Sequence, residues 1–219
     1  MNPRATRHPA SDDPTAQLRA ANPVLARIID AHPDFDPRAW LDELPPMDAF
    51  GALVFQVIGQ QLSVQATRRI LDRLTATSEG RMPTPTDLLA ADPATLRAAG
   101  LSQHKIETLR TLASRVADGS IRSKQLRKMS DQDIEALLTA IAGIGPWTVH
   151  GMLIIAFSRP DVVLPGDLAL RNVIRQTYHL DHLPSEDEVV RIAEPWRPYR
   201  GLATAHLFQA AFDRPGRDR

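Results

Sequence analysis

A chain of 219 residues, 43% of them hydrophobic, can bury a core in one domain or in two closely packed lobes, and its formal net charge of zero does not announce a nucleic-acid partner. There is no cysteine, which excludes disulfides, thiolate catalysis, zinc–cysteine sites and a cysteine-ligated iron–sulfur cluster. No apolar run reaches membrane-spanning length and no signal-peptide core opens the sequence, so a cytoplasmic location is expected, nucleoid-associated in a bacterium, with no membrane partner.

Residues 1–14, rich in Pro, Arg and Asp, read as a mobile tail. A helical pattern runs over 15–31, and a Pro-rich loop with at most one short turn follows it. Over 47–59, Phe50, Leu53, Val54, Val57 and Ile58 recur at the spacing of one helix face, and Gly59 ends that helix. Ser63 caps the next helix, to about Thr75. Short helices are expected at 86–91 and 93–98, and Ser102 caps one to about Asp118. The Ser130-Asp131-Gln132-Asp133 and Ser185-Glu186-Asp187-Glu188 segments resemble capping boxes. Pro146 opens a helix to about Phe157, another spans 168–178, and Pro198 starts the last, to about Phe212. Only Val162-Val163-Leu164 has strand character, and it is too short to build a sheet. The expected class is all-α, with a tail at 1–14 and a single two-lobed domain over 15–219.

Charge is uneven along the chain. Arg97 to Lys128 carries eight Lys/Arg against Glu107 and Asp118, a net of +6, whereas residues 1–50 hold a net of −3. A basic face on DNA and an ordinary solvated set of helix faces both fit that pattern. Five of the seven histidines, His104, His150, His179, His182 and His206, do not fall at metal-ligand spacing, and no catalytic metal is expected.

Two features carry the chemistry. Gly143-Ile144-Gly145 forms a short hairpin between helical patterns, within 140–147. Glycines let backbone N–H groups approach an anion at a helix start, where the dipole favours negative charge, so Gly143 and Gly145 are candidate phosphate donors. Asp167 lies one helix and one loop downstream. Alone it reads as an N-cap; beside the hairpin it suits chemistry on a bound nucleotide.

The run Ile144-Gly145-Pro146-Trp147-Thr148, followed by Leu164-Pro165-Gly166-Asp167, resembles the helix-hairpin-helix (HhH-GPD) DNA glycosylases, most closely the AlkA-like 3-methyladenine DNA glycosylase II group. Phe50 to Gln65, Gly100 to Ile121 and Pro195 to Arg200 are similar to further family segments, so the likeness covers about 20–212. It implies a two-lobed helical fold without an extra N-terminal α/β domain. It implies a monomer on double-stranded DNA that flips out a damaged base and hydrolyses its N-glycosidic bond in base excision repair. Asp167 would be the catalytic carboxylate, stabilising an oxocarbenium-like transition state and orienting water. Bifunctional relatives carry a lysine where this chain has Trp147, so no strand-cleaving lyase activity is expected.

The same resemblance supplies the remaining expectations. Trp147, Trp196, Tyr199 and Phe55 are candidate walls of a pocket for an electron-poor base. Gly151 stands where the family pattern has an aromatic, which suggests a roomy floor that admits ethenoadenine besides 3-methyladenine and 7-methylguanine. Gln61, then Leu62, are candidates for the wedge that fills the hole left by the flipped base. Thr148 joins Gly143 and Gly145 as a phosphate contact. No cofactor is required; the carbonyls of Thr139, Ile141 and Gly143 are expected to hold Na+ or K+ when DNA is bound. Each residue has a plainer reading as core or cap. A non-catalytic hairpin module that only grips phosphate, and a glycosylase for deaminated or oxidised bases, stay open as alternatives.

Overall fold

The computed structural model describes residues 13–212, and among them all regular secondary structure is helical. In chain order the helices are α1 (Pro14–Ala21), α2 (Pro23–Ala31), α3 (Ala39–Asp42), α4 (Ala49–Gly59), α5 (Val64–Ala76), α6 (Pro85–Ala90), α7 (Pro93–Ala98), α8 (Gln103–Ala117), α9 (Ser123–Leu126), α10 (Asp131–Thr139), α11 (Pro146–Phe157), α12 (Leu168–Thr177), α13 (Glu186–Ala193) and α14 (Arg200–Phe212). A 3-10 turn, Glu194–Trp196, separates the last two. The expected tail lies outside the described residues except for its end, where Asp13 caps α1 and Pro14 opens it. No described helix is long and apolar enough to cross a membrane.

Most helix ends follow from local side chains. Ser63, Ser102 and Ser130 each accept the backbone N–H three residues on. Ser185 and Glu188 close a reciprocal capping box, and the Ser185 N–H, then His182, hold the Glu188 carboxyl down to about 2. Ser130 makes only half a box, because the Asp133 carboxylate takes the Ser130 hydroxyl at 2.6 Å instead of the backbone N–H. The single helix expected over 15–31 is two. Asn22 is extended, its side chain accepts from Val24 N and Leu25 N, and Pro23 has no N–H to continue the first ladder.

The chain divides into two compact units, one over Trp40–Leu164 and one combining residues up to Ala39 with those from Pro165 onward. At the centre of the Trp40–Leu164 unit is α4. The sequence suggested one apolar face, but every residue from Ala49 to Ile58 is buried except Phe55, which is half-buried. It packs against α5, α8 and α11. Leu53, Val57, Ile58, Leu109, Leu112, Val149 and Leu153 are 0–1% exposed, each worth about 1.5–3 kcal/mol of burial. Val162 and Val163 are buried here as loop, without the strand geometry their composition suggested. In the other unit α14 packs against α2 and α12, and the Glu194–Trp196 turn against α1, α13 and α14.

The turn between α10 and α11 is where glycine is obligatory. Gly143 has φ +88, and a Cβ there would overlap Thr108 Oγ1, which donates to Ala142 O at 3.1 Å. Gly145 is different. It is the N-cap of α11 with φ −103, and a Cβ there would meet nothing within 4 Å. Gly143→Ala should therefore cost about 1–3 kcal/mol through backbone strain and overpacking. Gly145→Ser should match or exceed the parent by a few tenths, about 0.3 kcal/mol, because serine is a good N-cap. Urea unfolding of the two variants checks the contrast.

Candidate functional site

The loop after α4 is fixed from both sides. Gln60 Nε2 donates to the carbonyl of Gly143 and to Thr148 Oγ1, each at 2.9 Å, so the loop is tied to the hairpin turn and to the first turn of α11. Lys105 on α8 donates to Ile58 O at 2.7 Å and Gln60 O at 2.9 Å, closing the open carbonyls at the C-terminus of α4. Partial burial pushes the pKa of that ammonium down. Beyond the clamp the chain turns outward. Gln61 takes the left-handed conformation, φ +58, unusual for a residue with a side chain, and is exposed; Leu62 is 41% exposed. Leu62 is thus not a core residue, and both wedge candidates stand out from a rigid base.

The hairpin presents a bare helix start. α11 has no side-chain cap, Pro146 occupies its first turn, and the space above Gly145 is open. That is the geometry an anion needs. One of the expected phosphate contacts changes role. Thr148 is 1% exposed with its hydroxyl held by Gln60, so its side chain belongs to the clamp. Gly143 is glycine because Thr108 and His104 press against it. Its carbonyl is taken by Gln60, and that of Ile141 accepts from Ile144 N at 3.0 Å.

Asp167 precedes α12 as expected. Its Oδ1 accepts Leu170 N at 2.8 Å, so it is an N-cap, and the side chain is half-buried. Leu168, next to it, is 60% exposed, an unusual exposure for leucine at a helix start.

The pocket candidates separate. Trp147 is half-buried on α11 and Tyr199 half-buried just before α14. Trp196 is 0% exposed, a core indole whose faces are covered, which removes it as a wall for a base. Phe55 lines a cleft of about 400 Å³ with Glu43, Leu44, Pro45, Arg68 and Leu71, and none of the other pocket candidates lines that cleft. Gly151 does not make a roomy floor. It is buried, and a Cβ there would overlap the carboxamide of Gln56 on α4. The space a side chain at 151 would take is held by the end of Gln56, so a tyrosine there would first have to displace that amide rather than fill an open floor.

A family model described as HhH-GPD superfamily base excision DNA repair protein matches residues 54–198, which span α4, the hairpin, α11 and Asp167. The chain belongs to the HhH-GPD superfamily. DNA-3-methyladenine glycosylase 1 of Schizosaccharomyces pombe is 30% identical over 187 residues, covering 84% of this chain and 81% of that protein. DNA-3-methyladenine glycosylase 2 of Escherichia coli is 29% identical over 171 residues, 74% of this chain and 57% of that one. Among solved structures, a 3-methyladenine DNA glycosylase of S. pombe in complex with abasic DNA superposes with a TM-score of 0.84 at 27% identity, covering 94% of this chain and 99% of that one.

Within this HhH-GPD chain, sequence reasoning missed Gln56, Gln60, Lys105 and Thr108. The available signal was a polar Gln56 inside an otherwise apolar helix and a second glutamine, Gln60, just past its end. The basic stretch is also partly internal. Lys105 serves the clamp and Arg110 donates to Ala91 O at 2.6 Å, while Arg127 lies over the Phe157 ring at 4.9 Å. Exposed Arg97, Arg122, Lys124 and Lys128 are left to the surface.

Gln60→Ala should leave the Gly143 carbonyl and Thr148 hydroxyl without a donor and cost about 1–3 kcal/mol. Gln60→Glu should cost more, since a carboxylate facing that carbonyl cannot donate. Equal stability of the two variants by thermal denaturation would show that the clamp does not hold the loop.

Proposed function

We propose that the protein is a monofunctional DNA glycosylase that removes alkylated bases, 3-methyladenine and 7-methylguanine, from double-stranded DNA in base excision repair. The observation that carries this reading is the uncapped start of α11, open above Gly145, in a chain whose relatives are named DNA-3-methyladenine glycosylases. A phosphate seats on that helix start, held by backbone N–H groups and the helix dipole. Gln61, backed by Leu62, enters the stack from the clamped loop. Trp147 and Tyr199 offer π faces to a cationic base.

The chemistry asks little of the protein. In 3-methyladenine or 7-methylguanine the base already carries positive charge, so the C1′–N bond breaks with the electron pair going to the base and no prior proton transfer. Asp167 stabilises the oxocarbenium ion that forms, and takes the proton of the water that attacks C1′. With Trp147 where bifunctional relatives have lysine, there is no amine for a Schiff base, and the product is an intact abasic strand. A Na+ or K+ ion at the hairpin belongs to the same reading. It would use the carbonyls of Thr139, Ile141 and Gly143, the last two each through the lone pair left free by a single hydrogen bond. We take the active form to be a monomer acting wherever the cell's DNA lies.

Asp167→Asn should lower single-turnover release of 7-methylguanine by about 100-fold or more while preserving affinity for DNA. Products of the parent enzyme should break only on alkaline heating. Excision by the variant at the parent's rate would remove Asp167 from catalysis, and spontaneous strand breaks would mean a lyase.

Gly145→Asp places a carboxylate in the open space above α11 and should fold normally. It should weaken binding to lesion-bearing and undamaged duplexes alike, and flatten the dependence of affinity on salt by about one counterion's worth. Parental affinity and salt slope in the variant would mean that the phosphate sits elsewhere.

A further inference from the structure

One polar group in the Trp40–Leu164 unit has no task in the clamp or the hairpin. Gln56 is 8% exposed on a helix whose other buried residues are all apolar or small. Its carboxamide lies flat over Gly151, in the space a side chain there would fill. No hydrogen bond among the described residues holds it, and yet neither its oxygen nor its nitrogen is among the polar atoms sealed from solvent. Burying an amide without a partner is unfavourable, so buried glutamines are normally satisfied. Here the donor and acceptor are brought to the edge of the core and left open.

The position of Gly151 says what they are open to. Trp147 precedes it by four residues on α11, so the indole and the glycine share a face of that helix. An amide stacked on Gly151 sits one helical turn from the ring proposed to stack on the flipped base. We infer that Gln56 is a specificity-determining residue: its carboxamide hydrogen-bonds the edge of the base held at Trp147 and favours adenine-derived lesions. This rests on the glycosylase reading above.

The preference follows from the donor and acceptor pattern. A carboxamide offers one N–H and one C=O side by side, the match for adenine's ring-nitrogen acceptor and its neighbouring amino donor. In 3-methyladenine the amino group and N7 are both present. In 7-methylguanine the methyl group occupies N7, and the neighbouring group is a carbonyl. In ethenoadenine the amino nitrogen is locked into the added ring and cannot donate. Gln56 thus narrows the range that an empty floor at Gly151 would have widened.

The test uses the full chain and one alkylated duplex DNA from which 3-methyladenine and 7-methylguanine are released together and separated by chromatography. Gln56→Met keeps the length of the side chain and removes both hydrogen-bonding atoms. The ratio of the two release rates should fall about tenfold towards 7-methylguanine, within the range of a lost bidentate base contact. Affinity for a duplex with an abasic-site analogue, which offers no base, should be unchanged. Gly151→Ala reaches the same group from the other side, since its Cβ drives the amide away. It should lower the ratio too, and should add nothing in a Gln56→Met background. If the ratio stands in both single variants, or both rates fall equally, the inference is wrong while the glycosylase reading survives. If the parent enzyme releases neither base, the glycosylase reading fails and takes the inference with it.

Discussion

The approach of α4 to α11 is the constraint on which the rest of the Trp40–Leu164 unit depends. At Gly151 its seam is filled by the carboxamide of Gln56, and it is sealed by the apolar surface of a helix buried on nearly all sides. Close-packed interiors tolerate neither voids nor overlap, so the placement of the two helices is closely held. What extends from either helix inherits that precision: the hairpin at the start of α11 and the exposed loop at the end of α4.

Gln60 converts that packing into a functional geometry. One side-chain nitrogen spans from the loop to the hairpin turn and to α11 at hydrogen-bonding distance, while Lys105 holds the same loop by its backbone. In the proposed reading, the turn that grips phosphate and the side chain that enters the stack act on one nucleotide only if the distance between them is constant. Here that distance is set by two part-buried hydrogen bonds rather than by a flexible linker, which lowers the entropy lost on engaging DNA. The left-handed backbone at Gln61 fits the same scheme, since it aims the next side chains away from the core at a cost the clamp offsets.

How much of this was legible beforehand divides by range of interaction. Helix ends set by a serine or an aspartate and the N–H three residues on were readable, as at Ser63, Ser102 and Asp167, because the partners are neighbours in sequence. The break at Asn22-Pro23 was readable in principle and was overridden by an unbroken apolar period across it. Burial was harder. Trp196 and Tyr199, three residues apart, looked equivalent, but one is sealed and the other half-exposed. Gly151 looked like empty space because the residue that fills it, Gln56, is ninety-five positions away on another helix. Thr148 carried the right chemistry for phosphate and faces inward, for the same reason: long-range partners decide which side of a polar group is used.

The other unit has a history built into its connectivity. α1 and α2 come from the beginning of the chain, whereas α12, α13 and α14 come from its end, with all of Trp40–Leu164 between. During synthesis the central unit has its whole sequence available first. α1 and α2 pack on each other, but the side of α2 that meets α14 must wait for that helix to be made. At ribosomal speeds of about 5–20 residues per second that delay is about 10–30 seconds. For that interval the face of α2 that will meet α14 stays in water, open to chaperones, proteases and wrong partners.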